Sequence, residues 1–156
     1  MKDIHQLSDL DLRILAILQR DASCSVADLA LATNTSSATC WRRLRALEAG
    51  GVIGPPVRIV NPAAVGRGMD AFCQIRMTSQ NAAARKSFQQ AMEQVPTIVE
   101  IYSISGEWDY LLHLLVRDMA DLEHILMTQI LEHENVAGSS TIFVMRRVKQ
   151  TTEVPL

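Results

Sequence analysis

No single sign of charge dominates this chain. Across 156 residues, 15 Lys and Arg stand against 17 Asp and Glu, a formal net charge of −2, which excludes a global nucleic-acid-binding signature. Cysteine is scarce and unpatterned. Cys24, Cys40 and Cys73 make an odd count without a Cys-x-x-Cys spacing, the usage of reduced thiols in a cytoplasm rather than of a disulfide framework. Long apolar runs are missing too. The longest, Tyr110 to Val116, is interrupted by His113, far short of the ~20 residues of a membrane span, and no leader is expected ahead of the first helix. The sequence has no P-loop, no paired nucleophile and base, and no Cys/His cluster, so no enzymatic chemistry is expected. His124, His133 and Glu134 lie near one helix end, but their spacing does not form a single helical face. No metal and no cofactor are expected.

With 48% hydrophobic and 21% charged residues, the chain can bury one or two cores. Its charge is unevenly placed. Residues 1–60 carry seven Lys/Arg against six Asp/Glu, whereas 61–156 carry eight against eleven. Residues 37–58 hold four Arg and one acid, so any attraction to nucleic acid is local.

The stretch from Thr35 to Gly51 reads as a helix suited to lie on DNA. Ser36 is a good N-cap, and Cys40, Leu44 and Leu47 form one apolar stripe. The remaining surface offers Ser37 and Thr39 near the positively polarised N-terminus, then Arg42, Arg43 and Arg45. Gly50-Gly51 can close the helix without a Cβ clash.

The preceding text supplies its support. Leu7-Ser8-Asp9-Leu10-Asp11-Leu12 holds a cap, a capping-box acid and a hydrophobic staple of Leu7 on Leu12. Leu12, Leu15 and Leu18, widened by Ile14 and Ile17, predict the apolar face. Ser25-Val26-Ala27-Asp28 opens a second, shorter helix, and Asn34 tolerates the left-handed backbone of a tight turn. The result is a helix-turn-helix. After it, Val52-Ile53 and Val57 to Val60 flank Gly54-Pro55-Pro56, which predicts a short two-stranded wing with Arg58 available for a phosphate. The breakers between Asn61 and Asp70 set the boundaries: a winged helix-turn-helix domain over 1–60, a linker over 61–70 and a second domain over 71–156.

The second half alternates element types. Ala71 to Thr78 reads as a strand, Ala82 to about Gln94 as a helix and Ile98 to Ile104 as a strand. Asp109 to Val116 reads as a third strand, a helix follows Asp118, and Thr141 to Val148 reads as the last strand. The order βαββαβ is ferredoxin-like, so the fold class is α+β. Such a sheet leaves one face uncovered, and the apolar third strand predicts that a second subunit covers it. His113 is expected at that face.

Taken together, Leu10-Asp11, Ile14-Leu15, Asp28-Leu29-Ala30, Arg43-Leu44, Gly51-Val52-Ile53, Phe143-Val144-Met145 and above all Ser105-Gly106-Glu107-Trp108-Asp109-Tyr110-Leu111-Leu112 resemble the Lrp/AsnC (feast/famine) transcriptional regulators, in order and over nearly the whole chain. The resemblance implies a DNA-binding winged helix-turn-helix, an amino-acid-binding regulatory (RAM) domain, and homodimers that can assemble further, up to an octamer. The chain departs from the family's pattern at Gly54-Pro55-Pro56, where a turn closer to Gly-Tyr is usual, and at Arg146-Arg147, where acids are common.

On that reading, double-stranded DNA is met by Ser36, Ser37, Thr39, Arg42, Arg43, Arg45 and Arg58, one bidentate Arg contact supplying about 1–3 kcal/mol of base discrimination. Arg43 or Arg45 can instead pair within the domain with Asp9, Asp11 or Glu48, and Trp41 is expected to pack on the first helix or a partner subunit. The effector, an amino acid or related small molecule, is expected at Gly106, Glu107, Trp108 and Asp109. Turn amides would receive its carboxylate and Asp109 its ammonium group. The resemblance adds Met119 as a position that senses the effector's side chain, and Ile142 could close the pocket. Gly106 can equally be a plain hairpin residue and Asp109 a structural cap. Two alternatives remain: an enzyme resembling sirohaem decarboxylases, which also contain a relic helix-turn-helix, and an architectural DNA-binding protein without an effector.

Overall fold

The first helix, α1 (Asp9–Leu18), opens on a reciprocal cap in the computed structural model of the chain, which describes residues 7–156. The Ser8 hydroxyl accepts the Asp11 N–H, and the Asp11 carboxylate accepts the Ser8 N–H at 2.8 Å, satisfying two otherwise orphaned donors. A second helix, α2 (Val26–Ala32), is capped by Ser25. It ends at Asn34, whose φ of 55° lets the Thr35 N–H reach back to the Ala30 carbonyl at 2.9 Å. The third, α3 (Ser37–Ala49), is capped by Ser36. Gly51, at φ 69°, closes it in a Schellman motif, with Val52 N–H on the Leu47 carbonyl at 2.9 Å and Gly51 N–H on Glu48 at 3.0 Å.

These three helices bury one small core of Ile14, Leu15, Leu29, Ala30, Cys40 and Leu47. The face of α1 is rotated from the sequence expectation: Asp11, Ile14 and Leu15 form its buried centre, and Leu12 is only half-buried. Burying Asp11 is tolerable because it is ion-paired.

The predicted wing is not formed. Among the described residues, 52–60 contain no strand, and Val57, Ile59 and Val60 are exposed. Pro55 and Pro56 lack N–H donors and fix φ, so a ladder beside them has too few rungs. Only Ile53 of this stretch packs into the helical core.

The remaining elements are β1 (Met69–Met77), α4 (Ala82–Glu93), β2 (Ile98–Ser103), β3 (Tyr110–Val116), α5 (Met119–Ile125) with a π-type turn over Leu126–Ile130, and β4 (Val136–Phe143). The sheet order is β2-β3-β1-β4, antiparallel throughout, the ferredoxin-like arrangement. On its inner face, Cys73, Ile75, Leu112 and Leu114 pack with Phe88 and Met92 of α4 and Leu122 of α5, each large side chain contributing about 1.5–3 kcal/mol by burial. The other face carries Phe72, Leu111, His113 and Ile142. His113 sits between Asp70 (2.7 Å) and Glu100 (3.0 Å) and stacks on Phe72.

Two boundaries differ from the sequence reading. The last strand lies at 136–143 rather than 141–148, with Ala71 opposite Phe143 and Met77 opposite Val136. Its Gly-Ser-Ser-Thr middle is held by backbone pairing to β1, which apolar periodicity does not register. The chain also divides into two units: one runs to Arg58 and takes in Lys149–Leu156, and the other is Ile59–Val148. The expected linker is therefore part of the second unit, where Ala63–Val65 form a 3₁₀ turn and β1 starts at Met69. The tail expected in the second unit lies on α1, Gln19 bonding both the N–H (2.9 Å) and carbonyl (3.1 Å) of Val154.

Candidate functional sites

Helix α3 separates its arginines by task. Arg43 faces inward and grips the buried Asp11, Nε meeting Oδ1 at 2.7 Å and Nη2 meeting Oδ2. That hydrogen bonding, opposed by burial and assisted by Ser8, holds the Asp11 carboxyl down to about 2. Arg43 is thus tied to α1, the intradomain role weighed from the sequence. Arg45 pairs with Glu48 at 2.9 Å and lies over the Trp41 ring, 5.5 Å from its centroid. Trp41 is 52% exposed. Arg42 projects outward and, among the described residues, pairs with no carboxylate.

The hydroxyl residues divide in the same way. Ser36 accepts the Thr39 N–H at 3.2 Å and bonds the Thr39 hydroxyl at 3.0 Å, so both belong to the cap, while Ser37 is exposed. Arg58 is exposed in irregular chain beyond the helix and is not on a wing. The outward surface of α3 is therefore Ser37, Trp41, Arg42 and Arg45. Trp41 is the member that sequence reasoning missed; its i, i+4 spacing from Arg45 was the available signal.

The second site is the turn from β2 to β3. Gly106 takes φ 123°, a backbone that only glycine adopts without strain. The amides of residues 105–108 donate to no protein acceptor among the described residues. Asp109 is anchored: Oδ2 accepts the Met77 N–H at 2.7 Å, Oδ1 accepts from the Gln80 side chain at 2.8 Å, and its own N–H reaches Ile75 at 2.8 Å. It ties the turn to the end of β1, and each oxygen retains a lone pair for another donor. Glu107 leans outward onto Arg76 at 2.5 Å, and the Arg76 guanidinium lies 4.8 Å from the Trp108 ring centroid.

Between this turn, the end of β1 and the start of α4 is an open cleft of about 240 Å³. Gly106, Trp108 and Asp109 line it, as the sequence suggested, joined by Gln80, Arg85 and Ser105. Glu107, Met119 and Ile142 are not among the lining residues. Met119 begins α5 and is 55% exposed, and Ile142 is 48% exposed on the open sheet face opposite Phe72. Arg85 had one sequence signal: a cation in the first turn of a helix, where the dipole disfavours it.

No group of three or more His, Cys, Asp or Glu able to hold a metal occurs among the described residues. His133 instead accepts the Asn135 N–H at 3.2 Å and meets the Phe88 ring edge-on. No helix of the described residues is long and apolar enough to cross a membrane.

A helix-turn-helix with a cationic outer face, joined to an α+β domain holding a small polar cleft, defines a DNA-binding regulator with a sensory domain. Residues 7–53 match the winged helix-turn-helix DNA-binding family and residues 70–154 the Lrp/AsnC ligand-binding domain. The chain belongs to the Lrp/AsnC family of transcriptional regulators. It is 35% identical to the glutamate uptake regulatory protein of Zymomonas mobilis, over 98% of this chain and 93% of that one. Among solved structures it is similar to an AsnC family regulator of Agrobacterium tumefaciens, at TM-score 0.90 and 36% identity, covering 96% of this chain and 97% of that one. It is also similar to a Neisseria meningitidis transcriptional regulator crystallised with L-Met, at TM-score 0.90 and 28% identity, covering 96% of each chain.

Proposed function

We propose that this regulator reads an operator with the outward face of α3 and that an amino acid in the β2–β3 cleft changes its DNA binding or its assembly. The observation that carries the first half is Arg42, a guanidinium held outward on a helix seated from behind by the Arg43–Asp11 pair. Ser37, Arg42 and Arg45 meet DNA directly, Trp41 shields Arg45, and Arg58 adds a phosphate contact. Ser36, Thr39 and Arg43 hold the helix in place.

The chain acts as a homodimer closed over the open sheet face, where Phe72, Tyr102 and Ile142 lie exposed or half-exposed, and dimers assemble further, up to an octamer. Two reading helices then bind about one DNA turn apart, and their modest individual attractions multiply. The open cleft, its unbonded turn amides and the L-Met held by the Neisseria relative support the amino-acid effector. The protein works without catalysis, in a reducing cytoplasm; its three cysteines are all free.

Operator affinity, measured by fluorescence anisotropy with each of the twenty amino acids, tests this reading. At least one amino acid is expected to shift affinity or sedimentation. Specific binding that no amino acid alters would refute the effector, and no specific DNA site in a genomic selection would refute the regulator.

A further inference from the structure

The cleft beside the β2–β3 turn has one charged group more than a neutral amino acid can match. The amides of residues 105–108 offer donors with no protein acceptor, which suits an α-carboxylate. Asp109 keeps a lone pair on each oxygen after accepting from Met77 and Gln80, which suits an α-ammonium. That leaves Arg85, which lines the cleft and pairs with no carboxylate among the described residues. The nearby Arg76 is not a substitute, because Glu107 and the Trp108 ring occupy it.

The unmatched cation stands near the N-terminal end of its helix. Arg85 lies in the first turn of α4, capped by Asn81, so the partial positive charge of the helix end faces its own charge. An anion placed in the cleft relieves both. Met77, Ile104 and Trp108 also line the cleft, but it is open and its exposed lining is mainly polar, through Gln80, Ser103 and Ser105, rather than an enclosed apolar socket of the kind that selects a large aliphatic side chain. At about 240 Å³ it suits a small ligand.

Resting on the reading that this cleft is the effector site, we infer that it takes an amino acid with a second carboxylate, held by Arg85. Glutamate and aspartate are the simplest members of that class. A charge-assisted, potentially bidentate pair to Arg85 then separates them from glutamine and asparagine, which are nearly isosteric but uncharged.

Isothermal titration of the full chain with L-glutamate, L-aspartate, L-glutamine, L-methionine and L-leucine tests the assignment, repeated on Arg85→Gln and Arg85→Lys. Arg85 is exposed, so both variants are expected to melt as the parent does. The acidic ligands are expected to bind at least 10-fold more tightly than glutamine. Arg85→Gln should weaken them roughly 10- to 100-fold, the loss of one charged hydrogen-bonded pair, and Arg85→Lys should recover part of that loss. Glutamine, methionine or leucine binding as tightly as glutamate, or glutamate binding unchanged in Arg85→Gln, overturns the inference and leaves the effector reading standing. Absence of heat with all five overturns the inference, and absence of heat with all twenty amino acids overturns the effector reading itself.

Discussion

Helix α3 and the β2–β3 turn present opposite relations between apparent and available charge. In α3 the sequence shows a run of arginines, yet Arg43 is bound to Asp11 and Arg45 to Glu48, leaving Arg42 as the unpaired cation of the three among the described residues. In the turn the sequence shows mainly acids, yet the fold brings Arg85 and Gln80 to its edge. A cationic segment can therefore be held mostly by its own ion pairs, while a cleft's cation arrives from an element about twenty residues away in the sequence.

Removing charges from the two regions should break this contrast in graded ways. Arg43→Ala strands a buried carboxylate and is expected to destabilise the helix-turn-helix by about 3 kcal/mol in urea unfolding; a change below about 1 kcal/mol would return Arg43 to the DNA-facing set. Asp109→Ala leaves the Met77 N–H and the Gln80 amide without their acceptor and should cost about 2 kcal/mol. Arg85→Gln, by contrast, should leave the melting curve unmoved, and equal effects from the two would mean that the cleft has no division between scaffold and recognition.

The pH dependence follows from Asp11. Its folded pKa of about 2 lies below the ordinary 3.8, so its contribution of about 2 kcal/mol is present above pH 4 and is lost as pH falls from 4 toward 2. Asp121, held down to about 2 mainly by Arg117, shifts acid unfolding in the same direction in the other unit. Acid titration by circular dichroism should show Asp11→Asn losing this pH dependence in the helical unit. Smallest among these effects, Ser36→Ala should cost about 1 kcal/mol through the lost N-cap, with operator affinity recovering at lower temperature as the helix re-forms.

The same contrast explains what was legible in sequence. Caps and turns were, because they are local: Ser8 with Asp11, Asn34, and Gly51 behave as their chemistry requires. The βαββαβ order was legible from periodicity, but the register of β4 was not, since its central Gly-Ser-Ser-Thr pairs through the backbone and carries little apolar signal. The wing failed because two prolines outweigh the β-branched residues around them. Asp11 read as a cap and proved also to be the buried anchor of Arg43, a pairing between residues 32 apart that no local pattern reports. Of the cleft's lining, Gly106, Trp108 and Asp109 were legible because they fall in one short stretch, and Arg85 and Gln80 were not, because their approach depends on where β1 ends and α4 begins.

The claim that α3 divides its arginines between seating and reading is tested most directly by operator affinity as a function of salt for Arg42→Ala beside the parent protein, with melting curves on both. Loss of a phosphate or base contact should weaken binding, lower the slope of log affinity against log salt by about 1 per subunit, and leave the melting temperature unchanged. An unaltered slope and affinity in Arg42→Ala would contradict the account.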